Sequence, residues 1–187
     1  MKHAVAVLIG ISIALGAVAE TFTVDTGHAG ISFSVKHLMV SNAKGSFNTF
    51  EGTLDYDIAA KTLKSVEGSI EVASIDTNND KRDDHLKKDD FFNVAKFPKI
   101  TFKSTSVKKT GDNAFDVSGK LNVLGVDHDV VLPVTINGPV DGKRGGKLMG
   151  IECETTLSRV DLGIGKPSAS SIGKEVKVSI SAEAGHK

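Results

Sequence analysis

Phe115-Asp116-Val117-Ser118-Gly119-Lys120-Leu121-Asn122-Val123 is the stretch whose reading decides the fold. Apolar or small residues stand at every second position, and polar ones fill the places between. A period of two is the pattern of a β-strand with one face buried and one wet. One-sided burial is in turn the mark of antiparallel pairing. Downstream, Leu124-Gly125-Val126-Asp127 supplies a turn, and Val130, Leu132, Val134 and Ile136 form the next inward set. Upstream, Gly111-Asp112-Asn113 supplies another turn, and Ile100 and Phe102 alternate with Thr101 and Lys103. The same alternation recurs in Ile31, Phe33 and Val35; in Gly52, Leu54 and Tyr56; and in Val66, Gly68, Ile70 and Val72. It returns in Ile151, Cys153 and Thr155, and finally in Val176, Val178, Ile180 and Ala182.

About eight strands separated by Gly, Asp and Asn turns predict a mainly β chain, a sandwich or a barrel. Asn137-Gly138-Pro139 is expected to be one of those turns. Phe47 and Phe50 differ in parity, which predicts a bulge or bend between them. Pro133 inside a strand predicts an edge or a bulge. Only residues 79–93 break the pattern. They are charged, lack Gly and Pro, and begin with an asparagine able to cap a helix. A short helix is expected there, with Leu86, Phe91 and Phe92 turned inward. Such a helix can lie across a barrel opening, either as a gate or as a plug.

Composition narrows the function. The 187 residues carry 23 Lys and Arg against 23 Asp and Glu, so the chain lacks the basic footprint of a general nucleic-acid binder. The first residues have the parts of a secretory signal. Met1-Lys2-His3 is positive, Ala4–Val18 is uncharged, and Ala17-Val18-Ala19 is a small-x-small cleavage pattern. The apolar run is shorter than the ~20 residues needed to span a bilayer. The expected mature domain is therefore residues 20–187, single and exported. The one cysteine, Cys153, cannot form an internal disulfide and is expected to be a buried core thiol.

Motifs of known chemistry fail here. Asp76-x-Asn78-x-Asp80 starts like a calcium loop, but Lys81 replaces its glycine and Lys87 its final carboxylate. There is no Gly-x-Ser-x-Gly and no His-Glu-x-x-His. His28, His37, His85, His128 and His186 show no ligand spacing, so neither metal nor cofactor is expected. What remains is apolar volume. A barrel of about eight strands is either filled by side chains or wide enough for one small ligand. Gly52, Gly68, Gly119 and Thr155 on the inward sets fit either ligand room or strand bending.

The order of segments resembles the YceI-like family, bacterial polyisoprenoid-binding, lipocalin-like proteins of the periplasm. The resemblance runs through Asp25-x-x-His28-x-x-Ile31-x-Phe33-x-Val35-x-His37 and Gly45-x-Phe47-x-x-Phe50-x-Gly52. Its most specific part is Ser74-Ile75-Asp76-Thr77, then Arg82-Asp83-x-His85-Leu86-x-x-x-Asp90-Phe91-Phe92 and Phe97-Pro98-Lys99-Ile100-Thr101-Phe102-x-Ser104. Gly119-x-Leu121-x-Val123-x-Gly125-Val126 and Arg159-x-Asp161-x-Gly163 complete it. His128 between Asp127 and Asp129 departs from the family, which often has Thr-Lys there.

The resemblance implies an extended antiparallel lipocalin-like barrel, often a homodimer, with a tunnel for a long isoprenoid chain. It implies a periplasmic carrier of a polyprenyl lipid or quinone precursor, without catalysis. The inward sets would line the tunnel: Ile31, Phe33, Val35, Phe47, Leu54, Ile70, Val72, Phe102, Leu121, Val134 and Ile151. Leu86, Phe91 and Phe92 would close over it, and Arg82, His85 or Asp90 would meet a head group at the mouth. An Arg82–Asp90 ion pair docking the helix is the plainer use of those charges. Two other readings stand beside the carrier: a hydrolase using His85 and Asp90, and an interaction module with a solid core.

Overall fold

A computed structural model describes residues 18–143, 145–166 and 171–186. The expected export signal falls almost wholly outside them. Ten strands form in chain order: β1 Glu20–His37, β2 Ser41–Phe47, β3 Phe50–Asp57, β4 Thr62–Glu71, β5 Ile75–Asp76, β6 Lys99–Lys109, β7 Ala114–Val123, β8 Val126–Asp141, β9 Lys147–Ser158 and β10 Ile172–His186. Among the described residues one helix, α1, spans Asp80–Leu86, and a 3-10 turn covers Val72–Ser74. Seven of the eight alternating sets lie wholly on barrel strands, and the eighth loses only Val72.

The sheet closes on itself. Neighbouring strands run β10-β9-β8-β7-β6-β4-β3-β1, and β1 returns to pair with β10. Every pairing is antiparallel. Closure satisfies edges that an open sheet would leave as templates for aggregation. β1 runs the full height. Its first residues pair with β3 (Phe22 opposite Leu54) and its last with β2 (Phe33 opposite Gly45). β2 and β3 are thus one wall strand broken at Asn48-Thr49, the bend expected from Phe47 and Phe50. The polar run Ser41–Ser46 hides the alternation of β2 from a sequence reading.

Three expectations need correction. Asn137-Gly138-Pro139 is not a turn between strands. It is an irregularity inside β8, where the register with β9 shifts between Asn137 and Val140 and Gly138 takes φ +107°. The helix ends at Leu86 rather than near residue 93. Acids at 89 and 90 are poor partners for the negative end of a helix, and Phe92 N–H instead donates to Leu86 O at 3.0 Å in a looped turn. Val72 leaves the strand pattern because the chain turns into the 3-10 segment after Glu71. Pro133 does mark an edge: pairing of β8 with β9 stops at Val134–Cys153, so Val126–Pro133 pairs with β7 alone.

The two ends differ. At one end lie the chain's described C-terminus, the start of β1 and the turns 57–62, 109–114 and 141–147. Here Phe22, Leu54, Tyr56, Leu63, Phe115, Val117, Ile136, Met149 and Ala184 fill the lumen. The Tyr56 and Phe115 rings meet edge to face at 6.5 Å, a preferred aromatic geometry. At the other end α1 and its following turn form a roof over a smaller cluster, Phe47, Val72 and Ile75, with Leu86 and Phe92 packed against it.

Candidate functional site: an apolar lumen under a helical roof

The roof is fixed by residues 76–90. Asn79 accepts the backbone N–H of Arg82 through its side chain at 3.0 Å and caps α1. Asp83, buried, accepts from the Thr77 backbone N–H at 3.0 Å and from the Thr77 hydroxyl. Arg82 donates from Nε to Thr77 Oγ1 at 2.7 Å and from Nη2 to Thr77 O at 2.6 Å. The Asp76 carboxylate accepts Asn78 N–H at 2.8 Å and so holds the turn before the helix. The expected Arg82–Asp90 ion pair is absent from the ion pairs of the described residues. Asp90 instead pairs with His85 Nε2 at 2.8 Å, and that hydrogen bond holds the Asp90 carboxyl below its ordinary range. The His85 ring in turn meets Phe91 edge to face at 5.0 Å.

Beneath the roof lies a cavity of about 630 Å³. That is within the ~300–1,000 Å³ of ordinary ligand pockets. It is bordered by Ile31, Phe33, Val35, Phe47, Leu54, Ile70, Phe102, Leu121, Val134 and Ile151 on the walls and by Leu86, Phe91 and Phe92 above. Arg82 and His85 border it at the roof. Val72 and Asp90 do not: Val72 is packed away with Phe47 and Ile75, and Asp90 stands behind His85. The inward glycines divide between two uses. Gly52 and Gly68, opposite each other, border the cavity together with Thr155. Gly119 is covered by the Phe102 ring, since a Cβ there would stand 2.5 Å from Phe102 Cζ.

Several lining residues escape a reading of strand sets alone. The segment after β9 brings Leu162 and Ile164 to the cavity. A side chain at Gly165 would stand 2.9 Å from Phe91 Cε1, so this segment abuts the roof. Arg159 fastens it. Only 3% exposed, Arg159 donates to the carbonyls of Gly173 at 2.8 Å, Ile164 at 2.9 Å, Ile172 at 3.1 Å and Lys166 at 3.3 Å. The Arg159-x-Asp161-x-Gly163 motif was its only sequence signal. Cys153 also borders the lumen, and burial pushes its thiol up to about 11, so it stays protonated.

The barrel is a closed antiparallel one, packed at one end, roofed at the other and hollow between, and the hollow is an apolar space of ligand size. The model of the YceI-like domain matches residues 22–184, and the chain belongs to that family. It is 38% identical over 169 residues to Protein YceI of Salmonella newport, covering 89% of this chain and 87% of that one. The crystal structure of the Campylobacter jejuni YceI protein superposes with a TM-score of 0.75 at 32% identity, covering 81% of this chain and 90% of that one. A polyisoprenoid binding domain from Saccharophagus degradans has the same fold, with a TM-score of 0.67 at 14% identity, covering 90% and 99% of the two chains.

Proposed function

We propose that this protein is an exported carrier that holds a long isoprenoid lipid, a polyprenyl chain or quinone precursor, in its lumen without chemical turnover. The observation that carries the reading is the cavity of about 630 Å³ walled by aliphatic and aromatic side chains inside a closed barrel. An apolar chain gains about 0.8 kcal/mol for each CH₂ moved from water into such a space. The polyisoprenoid binding described for the Saccharophagus domain supports the ligand class. The signal-like first nineteen residues support a periplasmic site of action. Among the described residues Arg82 is tied to Thr77 through Nε and Nη2, which leaves Nη1 to meet a polar head group under the roof. The His85–Asp90 pair serves in this reading as a clasp of the roof, with the one thiol of the lumen held protonated.

The test is organic extraction of the purified periplasmic protein followed by mass spectrometry. The expected extract contains a polyprenyl species at close to one per protein. An extract without lipid, and none retained after incubation with polyprenyl alcohols, would overturn the carrier reading.

A further inference from the structure

The tip of the β1–β2 hairpin presents Leu38, Met39 and Val40 to solvent, 57%, 72% and 84% exposed. Single exposed apolar residues need no explanation, but a contiguous apolar projection marks an interaction site. The backbone there is also unusual. Leu38 and Met39 take φ +49° and +59°, the left-handed region that L side chains disfavour. Turns with two such residues are dominated by Asn and Gly. The tip is nonetheless well held: Val40 N–H donates to His37 O at 3.1 Å, and Leu38 N–H donates to Ser171 O at 2.7 Å.

Two further features say what the tip meets. Below it, on the outer face, Lys44 of β2 and Lys177 of β10 flank Ser34 of β1, and Lys36 projects from β1 on the same face. None of these three lysines makes an ion pair among the described residues, whereas Lys99, Lys103, Lys120 and Lys147 do. Two acids share that face, Glu175 two residues along β10 from Lys177 and Glu154 opposite Ser179, so the three lysines outnumber them. The tip is also continuous with the lumen, because His37, Ser41 and Ala43 at its base border the cavity.

We propose that the Leu38–Val40 tip inserts into the surface of an anionic lipid bilayer, with Lys36, Lys44 and Lys177 on the head groups. Apolar side chains enter the boundary between head groups and acyl chains, and basic side chains add attraction to anionic lipid. This sets the roofed end of the barrel against the membrane from which a lipid would be taken or to which it would be given. The inference rests on the carrier reading for its purpose but is measured separately from it.

The purified protein is sedimented with vesicles of phosphatidylethanolamine and phosphatidylglycerol, and with vesicles of phosphatidylcholine alone. Binding is expected to the anionic vesicles, and to weaken with salt. Leu38→Asn with Met39→Gly and Val40→Thr is expected to weaken it at least tenfold, while the variant stays folded because Asn-Gly suits the turn. Lys36→Glu with Lys44→Glu is expected to abolish the preference for anionic vesicles. The tip variant should still yield whatever lipid the wild-type extract contains. A folded tip variant that binds vesicles as well as wild type would overturn the proposal, as would a wild-type protein that ignores anionic vesicles. A tip variant that turns a dimer into a monomer without changing vesicle binding would also overturn it, and would assign the tip to a second copy of the chain. Failure of the carrier reading shows elsewhere, as an empty wild-type extract.

Discussion

The packed end of the barrel and the hollow end are built from the same strands with the same alternation, yet they solve opposite problems. At the packed end, inward residues are sealed: Phe22, Phe115, Val117, Ile136 and Met149 expose 2% or less of their surface. At the hollow end, inward residues of the same strands, such as Phe33, Val35, Phe102 and Val178, keep part of theirs, and that surface faces the cavity. The rims differ too. The roofed rim exposes Leu38, Met39, Val40 and Val126, while near the packed rim Val18 and Val140 are exposed. One half of the molecule carries the stability of the fold. The other gives up packing, and with it the cohesion of close contact, to keep a space.

The largest expected effect separates the two halves directly. Phe115→Ala at the packed end should cost about 3–5 kcal/mol in denaturant unfolding, the range for emptying a tight aromatic site. Phe102→Ala should cost roughly half of that or less, because its ring already borders empty space. Equal losses at the two sites would break the distinction. Next in size, Thr155→Trp would place a large side chain into the lumen. It should change stability by less than about 1.5 kcal/mol, since the cavity has room, and should reduce extractable lipid at least tenfold. A strongly destabilised protein would mean that the wall has no slack at this level.

A smaller effect concerns the roof. The His85 hydrogen bond depresses the Asp90 carboxyl below its ordinary value of 3.8. A carboxylate lowered on folding stabilises the fold above its unfolded pKa, and this contribution is lost as pH falls through the folded value. Amide protection over residues 87–97, measured relative to the intrinsic exchange rate at each pH, should therefore fall below about pH 4, before the packed end loosens. Asp90→Asn should abolish that step. Acid loosening of both ends at one pH would contradict a separately clasped roof.

The eight alternating strands and the bend at Asn48-Thr49 were legible because a period of two fixes the inward face of each strand, and ten of the eleven strand residues expected inside border the cavity. Val72, expected among them, packs outside the cavity with Phe47 and Ile75, since the period says nothing about where a strand ends. The hollow itself was not legible. Val134 and Val178 look alike in an alternating pattern, and whether neighbours across the barrel meet depends on closure and register. The roof was only partly legible. Asn79 announced its cap, but Asp90 could be matched to Arg82 as readily as to His85 until the turn after Leu86 placed it. Arg159 was hidden because a buried cation satisfied by backbone carbonyls has no partner residue type to search for.

The central claim is that the molecule is divided, with one half holding the fold and the other holding an apolar chain. Amide exchange of the lipid-stripped protein, with and without a long-chain polyprenyl alcohol, tests it most directly. Protection should rise over residues 31–37, 82–92 and 153–164 and stay unchanged over residues 54–63 and 114–118. Protection gained equally at the packed end, or nowhere, would contradict the division and the use assigned to the hollow half.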